Sequence, residues 1–410
     1  MDVTEIRRDF PILNQEGKPL IYLDNGATTQ KPRAVIDRLC RYYSLENSNI
    51  HRGSYPLSSQ AARMYERARE TVRSWVDAEY GEEIVFTKGC TESVNLAASA
   101  VFETYVRPGD NVIVTELEHS SNYFPWKNQC EKKGVQFRVA PAQTDGSLRA
   151  EDVLEQMDSR TRLIAVTAMS NVTGFCPDVE RIIREAHKRG VLVLADAAQA
   201  VVHRVISVRQ MGCDFLCFSG HKIYGPMGIG VLYGRKKYLE EMAPYLYGGD
   251  MVVKGDRGEI SYKKSPGKYE AGTQDIAGAL GLEAALLYLQ NRGFKEILRY
   301  EAELGAYLRE CLGAVKGVHV IGEPAVPLPL SDGAVPPIAV FEADNLGAYD
   351  IGVLLANHKI AVRCGSHCAY PLMKRMGKES LCRVSLSFYN TKQEIEFMAE
   401  RLERICGRGS

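Results

Sequence analysis

A lysine stands in a short run of small and polar residues that directly follows an apolar stretch of the chain. The run is SGHKIYGP at residues 219–226, with Lys222 near its centre. A lysine that is withdrawn from water can attack a carbonyl group and form a Schiff base. Ser219 and His221 flank Lys222 and offer a hydroxyl and an imidazole to a phosphate group. Together these residues predict a site for pyridoxal 5′-phosphate, a cofactor that carries both an aldehyde and a phosphate.

A carboxylate and an amide follow the apolar stretch at residues 191–195. Asp196 comes directly after that stretch, and Gln199 follows shortly afterwards. A carboxylate at the end of a buried strand stays charged only with a partner. The protonated ring nitrogen of pyridoxal 5′-phosphate is such a partner, and Gln199 can donate a hydrogen bond to the ring oxygen. Asp196 and Lys222 therefore predict the two contacts that this cofactor requires.

Two further groups of polar residues follow strand-like stretches. The run KGCTES at residues 88–93 places Thr91 where a helix is expected to begin, and free N–H groups there can bind a phosphate. His119 follows the stretch at residues 111–115. An imidazole at the end of a strand can stack on an aromatic cofactor and transfer protons near neutral pH.

Each of these residues has a simpler interpretation when it is taken alone. A lysine after a strand is usually a solvated surface residue, although the composition around Lys222 does not suit a solvated helix face. Asp196 and Thr91 are both good helix caps. His119 is equally suited to an ordinary hydrogen-bonded loop. The pyridoxal phosphate interpretation depends on the groups occurring together.

A second cluster of reactive residues lies near the C-terminal end of the chain. The segment VRCGSHCAYPL at residues 362–372 places Cys368 in a loop bounded by glycine and proline. A nearby cation such as Arg363 favours the thiolate, which is the reactive form of cysteine. Two alternatives stay open. In the first, Cys364, His367 and Cys368 form part of a metal site, although no second ligand pair of matching spacing follows and a zinc site needs about four ligands. In the second, Cys368 is a structural thiol of the loop.

The elements that must position these residues alternate between strands and helices from about residue 60 to residue 290. The strand-like runs are short and rich in β-branched residues, which is typical of strands buried on both faces. They lie at residues 83–87, 111–115, 162–168, 191–195, 214–219 and 229–233. Their spacing predicts a largely parallel sheet with crossover helices. In such a sheet, ligands bind beyond the carboxyl ends of the strands, which is where the candidate residues fall.

The pattern changes after an apolar helix predicted at residues 277–290. A helix at 294–312 begins what resembles another domain, and further helices are expected at 349–358 and from Thr391 onward. Strands are predicted at residues 318–321, 338–341, 360–363 and 383–388. The last of them alternates and begins with Arg383, whose guanidinium can bind a substrate carboxylate through two hydrogen bonds.

Two other segments stand out from the regular pattern. The glycine-rich, charged segment 248–268 alternates near residues 259–263 and predicts a hairpin at a subunit edge. A proline-rich stretch occupies residues 324–337.

The composition excludes several classes of protein. The 410 residues carry 51 Lys+Arg and 51 Asp+Glu, and a formal net charge of zero favours neither nucleic acid nor an anionic membrane as a partner. No apolar stretch approaches the roughly 20 residues of a membrane span, and the charged N-terminal sequence does not resemble a signal peptide. The 11 cysteines, with no export signal, predict a reducing cytoplasm in which most of them fill the core.

These residues resemble the cysteine desulfurases of the class V aminotransferase superfamily, and most closely the SUF-type (group II) desulfurase and selenocysteine lyase branch. The matching motifs run in the order of the family from about residue 20 to residue 390. They are YLDNGA (22–27), HRG (51–53), TE (91–92) with Asn95, EH (118–119), SNVTG (170–174), DAAQ (196–199), SGHK (219–222), EAGT (270–273), RCGSHC (363–368) and Arg383. The lysine motif is shared by the superfamily, whereas the Arg-x-Gly-x-His-Cys loop is specific to the desulfurase branch.

The resemblance implies a role for each matching residue. Lys222 would hold pyridoxal 5′-phosphate, with Asp196 on the ring nitrogen and Gln199 on the ring oxygen. His119 would stack on the ring and act as an acid and base. Cys368 would be the nucleophile that takes sulfur. The phosphate would be bound by Thr91, Ser219, His221 and, from the other subunit of a dimer, Thr273. The substrate would be bound by Arg383 and Asn171, with Arg363 beside them.

The resemblance also implies the fold, the partners and the reaction. The fold would be α/β, the fold type I of pyridoxal-phosphate-dependent transferases, with a mainly parallel sheet in a large domain at residues 19–291. A smaller α+β domain would comprise residues 1–18 and 292–410 and carry the cysteine loop. The protein would be a cytoplasmic homodimer that converts L-cysteine to L-alanine, with a persulfide on Cys368. A SufE-like or SufU-like acceptor would receive the sulfur for iron–sulfur cluster assembly; neither nucleic acid nor a membrane is expected as a partner.

The chain departs from the family pattern at four positions. Cys90 replaces a threonine or similar small residue in the phosphate loop, and Ser366 replaces a histidine found in many group II members. Cys364 adds a second thiol to the cysteine loop, where it is either inert or able to resolve a persulfide. Tyr349 stands where relatives that serve a zinc-bearing SufU-type acceptor often carry histidine, which favours a SufE-type acceptor. The alternatives to a cysteine desulfurase are a selenocysteine lyase, a class V aminotransferase without a sulfur role, and a non-catalytic protein that keeps a decayed site.

Overall fold

The structure is a computed structural model that describes residues 2–17, 20–51, 53–256, 259–322 and 335–407. Arg52 of the HRG motif and most of the proline-rich stretch at 324–337 lie outside the described residues. The strands are β1 (Ile21–Tyr22), β2 (Ile84–Thr87), β3 (Asn111–Thr115), β4 (Gln136–Ala140), β5 (Thr161–Thr167), β6 (Leu192–Asp196), β7 (Phe215–Ser219), β8 (Gly230–Gly234), β9 (Val252–Asp256), β10 (Glu259–Tyr262), β11 (Val318–Ile321), β12 (Ile338–Ala343), β13 (Ile360–Ala361), β14 (Arg363–Gly365) and β15 (Leu381–Ser385).

Helices connect most of these strands. They are α1 (Val3–Arg8), α2 (Arg33–Arg41), α3 (Pro56–Trp75), α4 (Cys90–Thr104), α5 (Ser120–Lys133), α6 (Ala150–Leu154), α7 (Val179–His187), α8 (Ala200–His203), α9 (Val208–Met211), α10 (Lys236–Glu241), α11 (Ile276–Asn291), α12 (Phe294–Ala314), α13 (Ala348–Ala356), α14 (Tyr370–Arg375) and α15 (Lys392–Cys406). The apolar α11 is buried along most of its length because it packs against both α2 and α3. The final helix begins where the sequence predicts, since Thr391 caps α15 through its side chain.

The larger sheet has seven strands in the order β2-β8-β7-β6-β5-β3-β4. Its strands run parallel except for β8, which is antiparallel to both of its neighbours. Every residue of β2, β3, β6, β7 and β8 is buried, as expected for strands covered on both faces. The predicted α/β fold with a mainly parallel sheet is confirmed.

The edge strand β4 is absent from the strands predicted from the sequence. In the larger sheet, β4 is an edge strand that pairs with β3 on one side. It can therefore carry polar side chains such as the exposed Gln136 and the partly exposed Arg138. Its sequence therefore lacks the uninterrupted apolar run by which the central strands were recognised.

The smaller sheet has four antiparallel strands in the order β11-β12-β15-β14. Its core includes leucines of α12 and residues of α13 and α15, so the expected smaller α+β unit is present. The predicted boundaries at residues 19–291, 1–18 and 292–410 stay a prediction. The N-terminal β1 pairs in parallel with β13, which places the start of the chain beside the cysteine loop.

Two strand predictions in the C-terminal part of the chain were inaccurate. The predicted strand at 360–363 is two strands, β13 and β14, separated by Val362. The predicted alternating strand at 383–388 is β15, and all five of its residues are buried. The alternation was misleading because the polar side chain of Arg383 points into an enclosed site rather than into solvent.

The hairpin expected near residues 259–263 is confirmed as the antiparallel pair β9–β10. Val253 and Ile260 on it are exposed apolar side chains. Across the described ranges, no helix combines the length and the apolar character that crossing a membrane requires.

Candidate active site

A cavity of about 300 Å³ lies where the carboxyl ends of the large sheet meet the cysteine loop. A second, more open cavity of about 730 Å³ adjoins it and shares Thr91, Ser219 and His221 with it. Eleven of the twelve predicted site residues line the first cavity: Thr91, His119, Asn171, Asp196, Gln199, Ser219, His221, Lys222, Arg363, Cys368 and Arg383. The remaining residue, Thr273, is exposed and lies outside it.

Lys222 lies in a 3-10 turn, Gly220–Lys222, that follows β7, and its side chain lines the cavity. Burial lowers the pKa of Lys222, and the nearby guanidinium of Arg383 lowers it further, whereas Asp196 opposes the shift. A neutral amine is the form that attacks an aldehyde. The interpretation of Lys222 as a solvated surface residue is therefore wrong.

Four hydrogen bonds converge on the carbonyl oxygen of His221, the residue before Lys222. The donors are Thr28 Oγ1, the backbone N–H and Oγ1 of Thr29, each at 3.1 Å, and Lys31 Nζ at 2.8 Å. Lys31 Nζ also donates to the carbonyl oxygen of Thr29 at 2.6 Å. The peptide bond that leads into Lys222 is thereby fixed to the N-terminal segment of the chain. Burial lowers the pKa of Lys31 to about 7.

The low pKa of Lys31 predicts a pH dependence of stability that Lys31→Met removes. An unfolded lysine has a pKa of about 10.4. Between about pH 7 and that value, the unfolded chain binds a proton that the folded chain does not, so the unfolding free energy rises with pH. The stability of the wild type relative to Lys31→Met is expected to increase from pH 7 to pH 9 by up to about 1.4 kcal/mol per pH unit.

Urea unfolding of both proteins at several pH values measures this difference. Lys188→Met is the matched control, because Lys188 is an exposed lysine that pairs with Glu185 at the surface. A wild-type advantage over Lys31→Met that stays constant with pH would contradict the lowered pKa of Lys31.

Asp196 is buried at the last position of β6. Its Oδ1 accepts the N–H of Ala198 at 2.9 Å and lies 3.5 Å from the thiol of Cys90. Burial raises the pKa of Asp196, so a cationic group in the cavity would stabilise the ionised carboxylate. The next helix, α8, begins after Gln199. Asp196 thus caps the turn that leads into α8, and it also lines the cavity, so the two interpretations of this residue are compatible.

Cys90 is the first residue of α4, and its thiol lies beside Asp196. The same thiol lies 3.4 Å from Cys217 Sγ. The bond to Cys217 lowers the pKa of Cys90, but burial and Asp196 raise it more, so this thiol stays protonated. Cys90, Asp196 and Cys217 are the one cluster of three possible metal-ligating side chains in the described part of the chain. Cys364, His367 and Cys368, the metal alternative of the sequence analysis, form no such cluster there.

His119 caps α5, and its ring is held in one orientation. Its Nδ1 accepts the N–H of Ser121 at 3.1 Å, which places the proton of the neutral ring on Nε2. Burial lowers the pKa of His119 to about 4, and the charges of Lys222 and Arg383 add to this effect. The neutral ring that results at physiological pH can stack on an aromatic group and accept or donate a proton.

The adjacent Glu118 is a buried carboxyl group that the sequence analysis left without a role. Its oxygens accept hydrogen bonds from Thr115, Asn122 and the backbone N–H of Thr167. Burial raises the pKa of Glu118 to about 8, although these hydrogen bonds act in the opposite direction. Glu118 therefore fixes the ends of β3 and β5 beneath the cavity.

The cysteine loop is anchored at two carbonyl oxygens. Ser120 donates to the carbonyl oxygen of Cys368 twice, from its N–H at 2.7 Å and from Oγ at 2.8 Å. Asn171 Nδ2 donates to the carbonyl oxygen of His367 at 2.8 Å. Both His367 and Cys368 have positive φ, 53° and 54°, a conformation that costs a residue with a side chain some energy. These contacts hold the exposed Cys368 at the cavity in a backbone conformation it would not adopt alone.

Two arginines line the cavity, and one aspartate pairs with both of them. Arg363 makes a two-pronged ion pair with Asp24, with its NH2 at 2.8 Å from Oδ2. Arg383 is buried, and it donates to the carbonyl oxygen of Asn171 at 2.7 Å and to Asp24 at 3.3 Å. Its Nε has no hydrogen-bond partner among the described residues, which leaves a donor for an anion in the cavity.

The residues expected to bind phosphate surround the start of α4. Ser219 Oγ accepts the N–H of Cys90 at 2.8 Å, and Thr91 Oγ1 lies 2.7 Å from Ser121 Oγ. The strand β8 approaches this turn so closely that a Cβ on Gly230 would lie 2.4 Å from the backbone of Gly89. Only glycine fits at that position.

Unpartnered polar atoms show that the cavity suits a polar ligand. His221 Nδ1, His367 Nδ1 and Arg383 Nε are buried without hydrogen-bond partners in the described ranges, and all three residues line the cavity. Buried polar groups are normally paired. Together with the buried amine of Lys222 and the carboxylate of Asp196, they fit a cofactor that carries an aldehyde, a ring nitrogen and a phosphate.

Three residues of the matching motifs have hydrogen-bond or ion-pair partners within the chain. Gln199 Nε2 donates to the carbonyl oxygen of Gly26 at 2.8 Å, so that one of its N–H groups is already used. His51 of the HRG motif lies 3.0 Å from Asp250. Asn95 donates to the backbone of Thr91 and lines the second cavity.

Comparison with known proteins agrees with this geometry. Residues 21–398 match the profile of the family described as Aminotransferase class-V. A cysteine desulfurase of Pectobacterium atrosepticum is 44% identical over 409 residues, covering 98% of each chain. The crystal structure of the cysteine desulfurase CsdA from Escherichia coli matches with a TM-score of 0.89 at 34% identity, covering 98% of each chain. The apo structure of a cysteine desulfurase from Thermococcus onnurineus matches with a TM-score of 0.92 at 33% identity, covering 99% of this chain and 98% of that chain.

Proposed function

The chain belongs to the class V aminotransferase family and its cysteine desulfurases, and from that premise we propose that Cys368 takes the sulfur of L-cysteine for iron–sulfur cluster assembly. The enzyme is a pyridoxal-phosphate-dependent cysteine desulfurase with the α/β fold type I of these transferases. Beyond this activity, we propose roles for individual residues, a destination for the sulfur, and two partners.

The observation that carries the proposal is the convergence of Lys222, Asp196 and Cys368 on one cavity. A buried amine and a buried carboxylate alone would suit any enzyme of this family. A cysteine held at the same cavity by Ser120 and Asn171 is what a sulfur-transferring member requires. This arrangement disfavours an aminotransferase without a sulfur role.

Pyridoxal 5′-phosphate, when bound, supplies an electron sink that weakens the bonds at the substrate Cβ. Lys222 would hold the cofactor and later move the α-proton, while Asp196 would keep the ring nitrogen protonated. His119, neutral and held by Ser121, would lie against the ring and carry a proton on Nε2. Thr91, Ser219 and His221 would hold the phosphate, and Gln199 would reach the ring oxygen with its remaining N–H.

The substrate would be held by its carboxylate. Arg383 would bind it through Nε, the donor that lacks a partner in the described structure. Asn171 and Arg363 stand beside Arg383 and line the same cavity.

The Cys368 thiolate would then attack the substrate sulfur. The bond between that sulfur and the substrate Cβ breaks, a bond to Cys368 Sγ forms, and the Cβ takes up a proton. One L-cysteine and one thiol thus give one L-alanine and one persulfide. An acceptor thiol would remove the outer sulfur by an exchange-like attack.

The proposed partners are a second copy of the chain and a sulfur acceptor of the SUF system, in the cytoplasm. Thr273 is exposed on this chain and outside its own cavity, which supports the expectation that it serves the phosphate site of the other subunit. Tyr349 is 64% exposed and is so close to Gly365 of the cysteine loop that a Cβ there would lie 2.8 Å from its Oη. A tyrosine at this position supports a SufE-like rather than a SufU-like acceptor.

The proposal is tested by product assays of the purified enzyme with L-cysteine and with L-selenocysteine. Alanine and a protein-bound persulfide from L-cysteine, with turnover increased by a SufE-like acceptor, are expected. Release of alanine from selenocysteine alone would instead identify a selenocysteine lyase. Stimulation by a SufU-like acceptor only would contradict the choice of partner.

Asp196→Asn is expected to keep the fold and lower the rate of alanine release about 100- to 1,000-fold, because a neutral amide cannot hold the ring nitrogen protonated. The amide still accepts the N–H of Ala198 through its oxygen, so stability should change little. Alanine release and bound cofactor are measured together, which separates loss of chemistry from loss of binding. Near-native turnover would show that Asp196 has only a structural role.

A further inference from the structure

Two free thiols lie side by side on neighbouring strands of the smaller sheet. Cys364 on β14 and Cys382 on β15 are directly paired in the antiparallel register, and their Sγ atoms lie 3.5 Å apart. Residues directly opposed in such a ladder have Cα atoms about 4.5–5.5 Å apart, which lies within the range that a disulfide spans. The backbone therefore already has the spacing that a sulfur–sulfur bond needs.

This pair lies on the face of the sheet that points away from the cavity. The adjacent pair in the register, Arg363 and Arg383, reaches Asp24 at the cavity wall, so by strand alternation the two cysteines point to the other face. There Cys382 Sγ lies 3.1 Å from the carbonyl oxygen of Ala348 on α13. Neither cysteine is among the described residues that line the cavity, so Cys364 is badly placed to resolve a persulfide on Cys368.

Gly352 on α13 makes room for the Cys364 sulfur. A Cβ at this position would lie 2.5 Å from Cys364 Sγ, so that any other residue would displace the thiol. The two thiols are thus held between the neighbouring strands β14 and β15, with Gly352 of α13 leaving space for Cys364 Sγ.

The two thiols differ in acidity. A hydrogen bond from Cys382 lowers the pKa of Cys364, and the N–H of Gly352 and the charge of Arg363 lower it further against the effect of burial. The same hydrogen bond and burial raise the pKa of Cys382. Cys382 has one thiol hydrogen, which points either to Ala348 or to Cys364, and it turns to Cys364 when that sulfur ionises. Cys364 is partly exposed and Cys382 is buried, so a small oxidant reaches the thiolate first.

We propose that Cys364 and Cys382 form a peroxide-reactive dithiol site that closes to a cross-strand disulfide. The Cys364 thiolate attacks one oxygen of hydrogen peroxide, the O–O bond breaks, and a sulfenic acid and a hydroxide form. The sulfur of Cys382 then attacks Cys364 Sγ, and the S–O bond breaks with loss of a second hydroxide. The two thiol protons convert the hydroxides to water, so two thiols are oxidised and one peroxide is reduced.

A second thiol pair in the chain provides an internal control. Cys90 and Cys217 have Sγ atoms 3.4 Å apart, but both side chains are buried and the pKa of each is raised. Proximity alone would make this pair equally reactive. We expect it to stay reduced, since both side chains are buried and their raised pKa values keep both sulfurs in the less reactive thiol form.

The test treats the cofactor-loaded enzyme with hydrogen peroxide in the absence of substrate, followed by tryptic digestion without reduction. The expected product joins residues 364–374 to residues 379–383 and has lost two hydrogen atoms in mass. Residues 364–374 also contain Cys368, so the same experiment is carried out on Cys368→Ala, in which the product should still form. It should disappear in Cys382→Ser and after treatment with dithiothreitol.

Three outcomes would overturn the proposal. They are a Cys364–Cys368 link, a sulfinic or sulfonic acid on Cys364 with Cys382 still a thiol, and oxidation of Cys90 with Cys217 at the same rate. A count of alkylatable thiols in the wild type before and after peroxide does not depend on any variant folding. On the tryptic peptide of residues 379–383, whose one cysteine is Cys382, this count should fall from one to zero and be restored by dithiothreitol, and an unchanged count there would also contradict the site.

Discussion

Lys222→Ala is expected to release no measurable alanine from L-cysteine and to lack the visible absorbance of a lysine-bound pyridoxal phosphate. The reason is that Lys222 follows β7 and lines the cavity, where burial lowers the pKa of its amine and so favours the neutral, nucleophilic form. Loss of both the covalent link and the proton transfer should reduce turnover by about 10,000-fold or more.

The measurement combines a visible spectrum of the purified protein with an alanine assay. Lys188→Ala serves as the control, since this exposed lysine pairs with Glu185 near the end of α7 and does not line the cavity. The N-terminal segment is bound to the backbone carbonyl group of His221 and not to the side chain of Lys222. The variant keeps this carbonyl group, so it should fold. An unchanged visible spectrum in Lys222→Ala would show that another lysine holds the cofactor.

Much of this site was predictable because its residues follow strands. The carboxyl ends of parallel strands meet at one edge of a sheet, so Asp196 at the end of β6 and Lys222 after β7 had to lie close together. The same reasoning brought His119 to the cavity from the end of β3. Periodicity failed where burial was unusual, as in the half-exposed edge strand β4 and in β15, whose one charged side chain is enclosed.

The supporting contacts could not be predicted, because they join distant parts of the chain through backbone atoms. Ser120 holds the carbonyl oxygen of Cys368 across 248 residues, and Lys31 reaches that of His221 across 190. A carbonyl oxygen is common to every residue, so the sequence contains no signal for its partner. The pairing of Cys364 with Cys382 depends on the register between two strands, which the pattern of apolar residues does not fix when both strands are buried.

Cys368→Ser decides the function. The variant is expected to bind pyridoxal 5′-phosphate and L-cysteine normally but to release alanine at least about 1,000-fold more slowly, since a hydroxyl is a far poorer nucleophile toward sulfur than a thiolate. The carbonyl oxygen of residue 368 still accepts both hydrogen bonds from Ser120, so the loop should keep its conformation. Cys364→Ser is the matched control from the same loop and should turn over normally, because its side chain lies on the far face of β14.

Two further measurements separate a sulfur acceptor from an incidental thiol. Mass spectrometry of the wild type after exposure to L-cysteine should place one extra sulfur on Cys368, and fragment ions must assign it because Cys364 lies on the same tryptic peptide. L-selenocysteine should remain a partial substrate of Cys368→Ser, since selenium departs more readily and does not need a thiol to receive it. Sulfur found on Cys364, or alanine released from L-cysteine by Cys368→Ser at the wild-type rate, would remove Cys368 from the reaction. The buried amine and carboxylate would then stand without the thiol that distinguishes a desulfurase from other members of the family.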